Sequence, residues 1–133
     1  MKEFLLKVVT PDGLEFEGMA ESLLIRTDDG DVQILAGHVD YMASLGTGRA
    51  KIVAGGVERL ASCSGGFVTC SASEVKLVAV TFEFADEIDL ERARRAKERA
   101  EEQIRIATDN REITMAKARL RRAMNRIDIA SDR

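Results

Sequence analysis

The chain has 133 residues, 45% hydrophobic and 32% charged, which suits one modest core with an appendage. One proline, five phenylalanines and no tryptophan exclude a collagen-like or disordered chain. No run approaches the roughly 18 apolar residues of a membrane helix, and the short FLL near the start is no signal peptide. A soluble, cytosolic chain is expected, meeting a membrane only through a protein partner.

Residues 1–82 read as β structure. FLLKVV runs into TPDG, whose proline and glycine suit a type I turn, and SLLIRT meets DVQIL across DDG, a hairpin signal. Further runs follow at short intervals: RAKIVA, VERLASC, FVTCS and EVKLVAVTF, with the pairs Gly55–Gly56 and Gly65–Gly66 read as hairpin turns. Many short strands punctuated by glycine, with no helical period, predict an antiparallel sandwich or barrel.

From residue 88 the period changes. Leu90, Ala93, Ala96, Ala100, Ile104 and Ala107 share one helical stripe. Asp86, Glu87 and Asp89 precede it, where the helix dipole favours negative charge. Asp109 with Glu112 resembles a capping box, so a second helix should start there, with Ile113, Ala116, Leu120, Ala123, Met124 and Ile127 as its stripe. The expected fold is therefore α+β: an N-terminal antiparallel β-sandwich over 1–84 and a C-terminal antiparallel α-helical hairpin over 85–133. Alanine gives the seam little apolar area, whereas each large aliphatic residue fully buried contributes about 1.5–3 kcal/mol. The hairpin is expected to dock loosely and to exchange between folded-back and extended forms.

Chemistry-bearing clusters are few. Cys63 and Cys70 have six residues between them and no companion pair, which is not zinc spacing, and they read as reduced thiols. His38 is the sole imidazole available to a nucleophile and reads as a turn or surface histidine. Neither glycine pair belongs to a phosphate-binding loop. Catalysis is not expected, and no metal or catalytic cofactor is implied.

Charge is more informative. The net of −3 hides a division: residues 1–88 carry 7 basic and 14 acidic side chains, and residues 89–133 carry 13 and 9. On a helical wheel Arg92 and Arg99 stand at one shoulder of the first alanine stripe. Arg119, Arg122 and Arg126 form a row that the wheel puts largely opposite the second apolar face. Between Met115 and Arg126 there are five basic residues and no acid, a repulsion without local compensation. Such a row is a solvated face, or it meets an acidic protein surface or a polyphosphate. Nucleic acid fits least, because the chain is acidic overall and lacks interleaved aromatics.

The segments VVTPDG, GDVQILAGH, SGGFV, ADEIDLERARRAKERAE and RAMNR, in this order and in a chain of this length, resemble the epsilon subunit of bacterial F-type ATP synthases. Ala36 and Asp40 stand where that family commonly has prolines. The resemblance implies a non-catalytic rotor subunit in the central stalk, on the cytoplasmic side of the bacterial plasma membrane. Its sandwich would contact the gamma subunit and the c-subunit ring, with the loop holding Asp31 and His38 facing the ring. It also implies that the hairpin opens and inhibits ATP hydrolysis, with Lys117, Arg119, Arg121, Arg122 and Arg126 approaching acidic loops of the catalytic alpha and beta subunits. In some members ATP binds the folded-back hairpin as a regulatory ligand. The motif Ile/Leu-Asp-x-x-Arg-Ala is met by Ile88, Asp89, Arg92 and Ala93, and by resemblance Glu83, Arg99, Arg122 and Arg126 join the site. A standalone nucleotide-sensing adaptor is the alternative, and an enzyme of unknown chemistry is a third reading, opposed by the missing nucleophile–base pair.

Overall fold

The structure, a computed structural model, describes residues 2–131. Met1, Asp132 and Arg133, at the ends of the two expected domains, lie outside them. Contacts divide the chain into two compact units, Met1–Phe84 and Ala85–Arg133.

The first unit holds eight strands: β1 (Phe4–Thr10), β2 (Gly13–Ala20), β3 (Ser22–Thr27), β4 (Gly30–Leu35), β5 (Tyr41–Ser44), β6 (Gly48–Ala54), β7 (Val57–Cys70) and β8 (Glu74–Phe84). They hydrogen-bond in the order β2-β1-β8-β7-β6-β3-β4, with β5 on β7. Alternation puts Leu6, Val8, Leu23, Ile25, Ile52, Val68, Val75 and Leu77 into one core, all essentially inaccessible. The β1–β2 and β3–β4 hairpins close alike. Thr10 pairs with Gly13 and Thr27 with Gly30, both glycines have positive φ, and each threonine hydroxyl accepts from the amide two residues on.

Three features depart from the sequence expectations. The sheet is not wholly antiparallel, since β1 runs parallel to β8 from Leu5↔Glu74 to Val9↔Val78. Strands β2 and β5 were not among the expected runs, because GLEFEGMA lacks β-branched residues and YMAS is very short. Gly65 and Gly66 make no hairpin turn; they lie inside the continuous strand β7. Before them β7 pairs with β6, and after them with β5, while β8 stays paired along both halves. Glycine is required there by close approach. A Cβ on Gly66 would meet the Val78 carbonyl oxygen at 1.9 Å. Cys63 and Cys70 are both on β7, free and buried, and burial pushes the Cys63 thiol up to about 12.

The second unit opens with a single turn, Ala85–Glu87, followed by helices α1 (Leu90–Ile106) and α2 (Asn110–Ser131). Asp89 caps α1, accepting from the Arg92 amide at 3.1 Å. Asp109 accepts from the Glu112 amide at 2.8 Å, and Glu112 accepts from the Thr108 amide at 3.2 Å, a reciprocal cap. The seam between the helices is heptadic. Ala93, Ala100 and Ala107 recur every seven residues, as do Ala116, Ala123 and Ala130, letting the backbones approach closely. Leu90, Lys97 and Ile104 alternate with the first set, and Ile113, Leu120 and Ile127 with the second, all half-buried. Met124 does not belong to this seam, being 48% exposed.

Candidate functional site

One border of the hairpin seam forms a cleft of about 430 Å³, floored by Ala96, Ala100 and Ala123 and walled by Arg99, Gln103, Arg119, Arg122 and Arg126. The heptad explains the set. Ala96, Gln103, Arg119 and Arg126 immediately precede Lys97, Ile104, Leu120 and Ile127, and Arg99 and Arg122 immediately precede Ala100 and Ala123. These positions fall along the same border of the seam on both helices.

Arg122 and Arg126 are half-buried at this border, which corrects the expectation that their row points away from the seam. The row borders the edge of the stripe formed by Ala116, Ala123 and Ala130, not the edge formed by Ile113 and Leu120. The long arginine side chains then cover the remaining angle by lying along the alanines. No carboxylate lines the cleft. Burial first, and then the charges of Arg126, Arg119 and Arg121, hold the Arg122 guanidinium below its ordinary pKa. Arg119 Nη1 donates across the cleft to Gln103 Oε1 at 3.4 Å.

The other expected residues are spread more widely. Arg92 is exposed, one heptad before Arg99 on the same border but outside the cleft lining. Asp89 is the helix cap, Ile88 is buried, and Ala93 belongs to the seam floor. Glu83 lies on β8 in the other unit, opposite Ser62. Lys117 and Arg121 are exposed on α2. Asp31 and His38 do not share a loop. Asp31 is near the start of edge strand β4, paired with Arg26 at 3.2 Å. His38 is half-buried beyond the far end of β4, with Nδ1 3.1 Å from the Val39 carbonyl and its ring edge-on to Phe4.

A second surface escaped the sequence reading. On the outer face of the sheet, Leu14, Val9, Val78 and Phe67 stand side by side across β2, β1, β8 and β7. Leu14 is 57% exposed, Phe67 42%, and the neighbouring Val80 61%. A charged row of Glu17, Lys7 and Lys76 flanks them. The signal was KLVAV in β8, where the alternation expected of a solvated face lapses. Contiguous exposed apolar side chains of this kind mark contact surfaces.

Residues 3–85 match the ATP synthase delta/epsilon chain beta-sandwich domain, and residues 86–131 match the long alpha-helix domain of the same chain. The chain belongs to the bacterial F-type ATP synthase epsilon family. An ATP synthase epsilon chain from Ruminococcus albus is 42% identical over 98% of both chains, and one from Bacillus velezensis is 37% identical over 99% of this chain and 100% of its own. Among solved structures, a chain of the Euglena gracilis mitochondrial ATP synthase (OSCP/F1/c-ring) superposes with TM-score 0.79 at 23% identity, covering 92% of this chain and 78% of its own. A chain of the Tetrahymena thermophila central stalk/c-ring superposes with TM-score 0.68 at 14% identity, covering 97% of each. Epsilon chains are non-catalytic subunits of the synthase. Among the described residues no helix is long and apolar enough to cross a membrane, and no group of potential metal ligands occurs.

Proposed function

We propose that this epsilon chain is a central-stalk rotor subunit whose hairpin inhibits ATP hydrolysis when it opens and is held closed by regulatory ATP. The observation that carries the reading is the arginine-walled cleft on an alanine seam. Arg99, Arg119, Arg122 and Arg126 converge on it, and guanidiniums grip phosphates in fork geometry. The volume suits a nucleotide-sized ligand. Asp89, which uses one carboxylate oxygen as a cap, offers the other to an adenine amino group, and Glu83, Ile88, Arg92 and Ala93 complete the nucleotide set by family resemblance. Because alanine buries so little, the seam alone holds the helices weakly, and a ligand specific to the closed form shifts the balance by RT ln(1 + [L]/Kd), about 2.7 kcal/mol at a hundredfold excess over Kd. ATP thus acts as a signal, not a substrate. In the open form Lys117, Arg119, Arg121, Arg122 and Arg126 are freed to meet acidic loops of the catalytic alpha and beta subunits.

The sandwich supplies attachment. Its outer apolar row is suited to the gamma subunit, and edge strand β4 with the segment that follows it, holding Asp31 and His38 and the exposed Leu35 and Val39, is suited to the c-subunit ring. The named assemblies of the structural neighbours support this arrangement. The chain would then lie at the cytoplasmic face of the bacterial plasma membrane, attached only through the complex. The test is ATP hydrolysis by the assembled synthase carrying the full chain or one ending at Ile88. Truncation should raise hydrolysis most at low ATP; equal rates at every ATP level refute the inhibitory role and leave attachment standing.

A further inference from the structure

We propose that Arg119 reads the terminal phosphate of the nucleotide, and that its hydrogen bond to Gln103 is the contact this phosphate displaces. The inference rests on the reading of the cleft as an ATP site. The helices are antiparallel, so the cleft has a direction. Arg126 and Ala96 mark the end nearer the Asp89 cap, and Arg119 and Gln103 mark the end nearer the interhelical loop. The seven residues from Ala96 to Gln103 span about 10 Å of helix. A nucleotide whose base sits by the Asp89 carboxylate directs its phosphates away from that negative charge and toward the loop. Arg99, Arg122 and Arg126 meet the inner phosphates, and the last one reaches Arg119.

Arg119 is suited to exchange partners. Its bond to Gln103 is long, at 3.4 Å, and the acceptor is a neutral amide. A phosphate oxygen offers a charged acceptor and a bidentate geometry in its place. Gln103 is the sole uncharged polar side chain among the lining residues, so displacing Arg119 from it strands no carboxylate. The resulting device distinguishes a triphosphate from a diphosphate with one guanidinium, independently of the base.

Calorimetric titration of the full chain with ATP, ADP and AMP tests this. Arg119→Gln, at an exposed site and with helix propensity retained, should weaken ATP binding about tenfold and ADP binding less than threefold, so the ATP/ADP preference collapses. Gln103→Glu should do the same by pairing Arg119 in the cleft. The double variant should bind ATP more weakly than either single change, since the carboxylate introduced at position 103 then stands unpaired beside the phosphates. Helical circular dichroism on the same samples verifies folding. If wild type binds ATP and Arg119→Gln keeps the wild-type ATP/ADP ratio, the inference is overturned while the site stands. If wild type gives no heat with millimolar ATP, the site itself is lost and this inference with it.

Discussion

Lys97 occupies a seam position between Leu90 and Ile104 that every other heptad of the hairpin gives to leucine or isoleucine. Replacing it by leucine should tighten the closed form. A fully buried leucine contributes about 1.5–3 kcal/mol. The position is half-buried and the lysine stem already covers part of the seam, so about 1 kcal/mol remains. That is about fivefold in the closed/open ratio, as RT is about 0.59 kcal/mol. In the assembled synthase, the ATP concentration giving half-maximal relief of inhibition should fall about fivefold. Amide exchange in α1 of the isolated chain should slow by a similar factor. Ala123→Leu should act oppositely, because a larger side chain on the seam floor overpacks it by about 1–3 kcal/mol. An unchanged half-relief concentration in both variants would show that seam packing does not set the equilibrium.

Other expectations concern the sandwich. Gly66→Ala should destabilise it by more than about 3 kcal/mol, measured by urea unfolding, because positive φ and the Val78 carbonyl both exclude a Cβ. Phe67→Glu should leave the melting temperature within a few degrees of wild type while abolishing co-purification with gamma, since the side chain is on the exposed outer row. The Cys63 thiol ionises near 9 when unfolded and only near 12 when folded, so its contribution is intact below pH 9 and is lost as pH rises toward 12, at about 1.4 kcal/mol per unit. Urea unfolding between pH 9 and 10 should therefore weaken more steeply in wild type than in Cys63→Ala.

Much of this architecture is legible in the chain. The change from alternating strands to a helical period near residue 88, and the caps at Asp89 and Asp109, follow from local chemistry that packing does not override. What was not legible depends on distant partners. Gly65–Gly66 has the composition of a turn, and only the proximity of Val78 on β8 makes it a passage within one strand. The arginine row looks remote from the seam until the heptad is centred on the alanines, whose edge it borders. Residues matched by family resemblance divide accordingly: Arg99, Arg122 and Arg126 meet at one cleft, while Arg92 stands one heptad outside it.

The parallel pairing of β1 with β8 constrains biosynthesis. The amino-terminal strand has its partner some 70 residues later, at Glu74–Val78. At translation speeds of about 5–20 residues per second, the nascent β1–β2 hairpin waits several seconds with one flank unsatisfied. Its twin, β3–β4, can meet β6 much sooner. The last residues of the sheet to leave the ribosome are thus the ones that close it, and the helices emerge only after them.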